Sequence, residues 1–101
     1  MRMISKASLV RFWTKHPNSK QALQTWFEDA NHANWISPQD IKLRYASASF
    51  VGSNRVVFNI KGNENRLIVA VAYRFAVVYI KFVGTHRQYD AVDAATEESS
   101  P

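Results

Sequence analysis

The chain has 101 residues, 47% hydrophobic and 21% charged, with no cysteine; this is enough for one small core and excludes a second domain, a disulfide staple and a thiolate metal site. No stretch approaches the roughly 18 apolar residues of a membrane helix, and the opening Met1–Lys6 leads into no signal-type apolar core, so a cytoplasmic chain with no membrane partner is expected. The net charge of +5 conceals an asymmetry: Asp93, Glu97 and Glu98 stand in the last eleven residues without a Lys or Arg, so residues 1–90 hold 13 cations against 5 acids, or +8, a body that favours phosphate backbones.

In chain order, Leu9, Phe12 and Trp13 form an i, i+3, i+4 stripe that predicts a helix from Ser5, ended by Pro17. Asn18 with Gln21 three residues on predicts the start of a second helix, whose stripe is Ala22, Leu23, Trp26, Phe27 and Ala30. A turn this short makes the two an antiparallel hairpin. Ser37-Pro38, with Asp40 in the first turn, predicts one or two further helical turns to about Leu43. Ala46 to Asn54 reads as a connector.

From Arg55 the period becomes two: Val56, Phe58 and Ile60 alternate with Val57, Asn59 and Lys61. Leu67–Tyr73 and Val77–Val83 are near-continuous β-branched and aromatic runs suited to strands covered on both faces, joined through Gly62-Asn63 and through Arg74-Phe75-Ala76. The expected fold class is α+β, N-terminal helices packed on a small antiparallel sheet, over residues 1–92, followed by an acidic, disordered tail over 93–101.

Two polar clusters carry candidate chemistry. Val83-Gly84-Thr85-His86-Arg87-Gln88-Tyr89-Asp90 sets an imidazole, a guanidinium, a phenol and a carboxylate directly after a strand. Two accounts of it stand level: proton transfer by His86 with Tyr89 and Asp90 at hand, or a structural turn in which Thr85 caps a short helix, His86 and Arg87 face solvent, and Tyr89 packs on the core. Lys61-Gly62-Asn63-Glu64-Asn65-Arg66 supplies cations at a turn, with Arg66 seated at a strand start where its planar fork suits a phosphate. Lys61 and Lys81 are expected to share a basic surface if their strands pair to suit. His16, His32 and His86 are too scattered for a zinc ligand set, and no cofactor is expected.

Trp26 with Trp35-Ile36-Ser37-Pro38, the run Arg55 to Asn63, Arg66-Leu67-Ile68, and Phe82-Val83-Gly84-Thr85-His86 with Tyr89-Asp90 resemble the HigB toxins of bacterial type II toxin–antitoxin systems, in order and spacing from about Ile4 to Val92. The resemblance implies a RelE-like fold, a metal-independent endoribonuclease (mRNA interferase) that cuts mRNA under translation on the ribosome, and neutralisation by a HigA-type antitoxin. It leads to an expected catalytic set of His86, Arg66, Tyr89, Lys61, Lys81 and Asp90, with Asn63, Arg87, Arg55 and Asn59 as RNA contacts. The route expected is attack of a ribose 2′-hydroxyl on the adjacent phosphate. Because fold alone does not decide function, a non-catalytic gyrase inhibitor of the same fold and a plain RNA-binding module are the alternatives. The nuclease reading requires the end of the last strand and the turn before Arg66 to meet in space.

Overall fold

The computed structural model describes residues 1–62 and 64–98. Its helices are α1 (Lys6–Lys15), α2 (Lys20–His32), α3 (Pro38–Arg44) and the short α4 (His86–Tyr89), and its strands are β1 (Arg2–Ile4), β2 (Ser49–Val51), β3 (Arg55–Ile60), β4 (Asn65–Ala72) and β5 (Val77–Thr85). The strands form one open sheet in the order β1-β5-β4-β3-β2. It is α+β as expected, but mixed: β2 through β5 pair antiparallel, while β1 runs parallel to β5.

The period-two pattern of β3 sets the two faces of the sheet. Val56, Phe58 and Ile60 join Leu67, Val69, Val71, Val78 and Ile80 in the main core, against Leu9, Phe12 and Trp13 of α1 and Leu23, Trp26 and Ala30 of α2. Phe58 sits among three rings, with the Trp26, Tyr45 and Trp35 centroids 5.3, 5.1 and 6.3 Å away. Val57, Ile68 and Phe82 point the other way into a smaller cluster covered by Val51, Tyr89, Val92 and Ala94. β4, central and packed on both faces, reads as the continuous apolar run such a strand requires.

The helix starts differ in detail from their sequence signals. Pro17–Ser19 forms a 3-10 turn and α2 begins at Lys20 rather than after an Asn18 cap; the Ser19 hydroxyl donates back to the His16 carbonyl at 2.7 Å. Pro38 opens α3 as predicted, and Asp40 reaches back to accept the Ile36 N–H at 2.9 Å. At the far end of α2 the Met1 ammonium donates to the carbonyls of Ala30, Asn31 and Ala33, placing a cation where the last carbonyls of a helix lack partners.

β1 and β2 are the elements missing from the sequence prediction. Each is three residues long and lies at a sheet edge, too short for alternation to register. Of the acidic segment expected to be a disordered tail, residues 93–98 are described, with Glu97 and Glu98 held on the second sheet face by Arg55 and Lys81, and residues 99–101 lie outside the described residues. Among the described residues no helix is long and apolar enough to cross a membrane.

Candidate active site

The two polar clusters meet at one end of the sheet. Asn65, which opens β4, pairs with Thr85, the last residue of β5, and with Ile60, the last of β3. The His86 N–H then donates to the Glu64 carbonyl at 3.0 Å, tying the start of α4 to the β3–β4 turn. Arg66 is flanked across the sheet by Asn59 of β3 and Gly84 of β5, and strand alternation puts it on the same face as Ile68.

α4 is held by a reciprocal cap. The Thr85 hydroxyl accepts from the Gln88 N–H at 3.2 Å and the Gln88 side chain accepts from the Thr85 N–H at 2.9 Å, the Thr-x-x-Gln signature of a capping box. Within its single turn Tyr89 faces the sheet, half-buried against the small apolar cluster, with the Arg66 guanidinium 5.8 Å from its ring centroid. His86 and Arg87 are exposed. The His86 Nδ1 lies 3.2 Å from an Asp90 carboxylate oxygen one turn later. All three features of the structural account are therefore present, the Thr85 cap, the exposed His86 and Arg87 and the packed Tyr89, and the same geometry leaves the imidazole paired on one nitrogen and open to solvent.

An open hollow of about 330 Å³ lies toward the helix-covered side at the end of β3, lined by Thr25, Trp26, Arg44, Tyr45, Asn59 and Lys61 among others, and neither Arg66 nor any residue of α4 lines it. Lys61, in the turn, makes a 3.4 Å ion pair with Glu64. The Arg66 guanidinium also donates to the Asn65 carbonyl at 3.2 Å. Asn63 lies outside the described residues.

Arg55 and Lys81 stand elsewhere. Lys61 follows the end of β3, level with Thr85, whereas Lys81 is four positions earlier on β5, about 13 Å along the strand. The common surface expected for Lys61 and Lys81 is thus not formed, because the register sets them at different levels of the sheet. Lys81 lies beside the bulge between Ile68 and Val69, its ammonium 5.5 Å from the Tyr79 ring centroid. Arg55 pairs with Ala70 and is buried. Both cations contact Glu98, a residue to which the sequence assigns no role. Gln88 is a further contributor absent from the expected set, although the Thr-x-x-Gln spacing signals its cap.

Helices over one face of a small mixed sheet, with a cationic and acid–base cluster at the exit of its last strand, define an α+β protein of RelE-like fold. Residues 19–92 match the HigB toxin family, described as the RelE-like toxic component of a toxin-antitoxin system. The chain belongs to that family: it is the toxic component of a toxin–antitoxin pair, and an antitoxin is its partner. No curated protein matches the chain.

Proposed function

We propose that this toxin is an endoribonuclease that cleaves translated mRNA on the ribosome by attack of a ribose 2′-hydroxyl on the adjacent phosphate, and that a HigA-type antitoxin neutralises it. The observation that supports this reading most is the convergence of Arg66, Tyr89 and the His86–Asp90 pair where β4 begins and β5 ends.

The chemistry follows from those groups. With Nδ1 facing the Asp90 carboxylate 3.2 Å away, the neutral imidazole of His86 presents Nε2 as an acceptor, which takes the proton of the 2′-hydroxyl as that oxygen bonds to phosphorus. The P–O5′ bond breaks, and the Tyr89 phenol supplies the proton that the departing 5′-oxygen needs. The products are a 2′,3′-cyclic phosphate and a 5′-hydroxyl. Arg66, fixed at the strand start, binds the phosphate through its planar fork and offsets the extra negative charge of the transition state. Lys61, Asn59 and Arg87 serve as contacts to the RNA strand, and the sequence offers Asn63 as a further one.

The cytoplasmic, polycationic body fits that substrate: a +8 excess over residues 1–90 draws an RNA backbone to the molecule without reading its sequence. Expression of the chain in a bacterium, followed by mapping of transcript 5′ ends, tests the reading. Cuts confined to translated regions support it. Intact transcripts with loss of DNA supercoiling would mark a gyrase inhibitor instead, and RNA binding without scission a simple binding module.

A further inference from the structure

A second pair of cations on the same sheet face has no part in the proposed cleavage step. Arg55 is only 8% exposed, and its Nη1 donates to the Glu97 carbonyl at 2.6 Å while its Nη2 donates to one Glu98 carboxylate oxygen at 2.7 Å. The other Glu98 oxygen accepts from the Lys81 ammonium at 2.8 Å. One carboxylate thus bridges two cations that come from β3 and β5, with β4 between them. The bridge is possible because β4 presents Ala70 there: Arg55 and Tyr79 are the partners of Ala70 on either side, and a methyl group leaves room for both long side chains to converge above it.

A guanidinium fork and an ammonium aimed at one oxyanion form the arrangement by which proteins hold phosphate. The hydrogen bond from Lys81, aided by both positive charges, keeps the Glu98 carboxyl below the ordinary glutamate range. The occupant is held lightly. The Glu98 side chain is 59% exposed, and ion pairs at such exposure are weak and screened by salt. Arg66 lies four residues from Ala70 along β4 on the same face, about 13 Å away, so an RNA strand seated at Arg66 has a course toward this pair.

We propose that Arg55 and Lys81 form a phosphate site for the RNA strand away from the cleaved bond, and that the Glu98 carboxylate is its intramolecular occupant, displaced when a phosphodiester arrives. This rests on the RNA-cleaving reading above and adds a built-in competitor for the substrate. Under mass action, a site blocked by its own chain for part of the time loses affinity by the fraction blocked.

The test is fluorescence anisotropy of a labelled, single-stranded 2′-O-methyl RNA of about ten nucleotides, which offers no free 2′-hydroxyl for attack, titrated at several salt concentrations. The proteins compared are the wild type, Glu98→Gln, and Glu98→Gln combined with Lys81→Ala. Glu98→Gln binds about two- to tenfold tighter, with a salt slope steeper by about 0.7 for one added phosphate contact; the second substitution removes most of that gain. Equal affinity and slope for wild type and Glu98→Gln, or a gain that persists without Lys81, overturns the proposal. RNA cleavage by His86→Ala and Arg66→Ala is followed in parallel. If cleavage is lost in those variants while Glu98→Gln changes nothing, the phosphate site falls alone. If Glu98→Gln tightens binding while both variants cleave normally, the cleavage mechanism falls and the phosphate site stands.

Discussion

Gly84 lies directly across the β4–β5 ladder from Arg66, so the strand beside the guanidinium presents no side chain. A Cβ at Gly84 would come within 2.5 Å of the Phe82 ring and 2.9 Å of the Gln88 side-chain oxygen. The ring is packed in the small apolar cluster and the oxygen caps α4. Gly84→Ala therefore displaces α4 as well as Phe82. We expect a stability loss of about 1–3 kcal/mol from overpacking together with a fall in toxicity, measured by denaturant unfolding and by growth after induction. A variant with wild-type stability and toxicity would mean that α4 needs no close seat on β5.

Arg66→Ala and His86→Ala separate chemistry from folding. His86 is exposed and Arg66 half-exposed, so each variant should fold and bind antitoxin as the wild type does. Loss of the guanidinium should cost about 10²–10³ in cleavage rate, and loss of the imidazole about 10²–10⁴. Single-turnover cleavage assays and thermal melts read the two effects separately.

In the proposed mechanism Asp90 is a positioning residue, acting on RNA only through His86. Asp90→Asn removes the charge and loosens the imidazole, which should lower the cleavage rate by up to about 10²-fold with little effect on RNA affinity. A rate unchanged in Asp90→Asn across pH 5 to 9 would remove Asp90 from that role, leaving His86 exposed and untethered.

Away from the site, the Tyr45 hydroxyl donates to the Asp29 carboxylate, which also pairs with Arg44 at 3.1 Å. Burial first, then the hydrogen bond and charge of Asp29, raise the Tyr45 pKa well above its usual value of about 10. A folded pKa raised in this way gives a stabilisation complete below the unfolded value and lost as pH climbs above it. Unfolding free energy should therefore fall above about pH 10 more steeply in wild type than in Tyr45→Phe. At neutral pH the variant should be about 1–2 kcal/mol less stable for want of the hydrogen bond. Parallel pH dependences would show that Tyr45 keeps an ordinary pKa.

Much of the fold is written in local pattern. The alternation Val56, Phe58, Ile60 against Val57 and Asn59 is enough by itself to assign both faces of β3, and the stripe Leu23, Trp26, Ala30 assigns the buried side of α2. Edge strands of three residues carry no such period, which is why β1 and β2 leave no mark in the sequence. The chemistry of the site is legible as residue types, since His86, Tyr89, Arg66 and Asp90 announce themselves by their company. Their meeting is not, because it depends on the register Asn65 to Thr85, and a shift of two residues would preserve every pattern. Register likewise separates Lys81 from Lys61. Glu98 is illegible for a different reason: an acidic run has the composition of a disordered tail, and only Arg55 and Lys81, brought together from β3 and β5, give it a place.

The most direct test of 2′-hydroxyl attack is the chemistry of the RNA ends left after the toxin is induced. With His86 taking the proton of that hydroxyl, upstream fragments should end in a 2′,3′-cyclic phosphate or its 3′-phosphate product, and downstream fragments should begin with a 5′-hydroxyl. Fragments ending in a 3′-hydroxyl and beginning with a 5′-phosphate would contradict it.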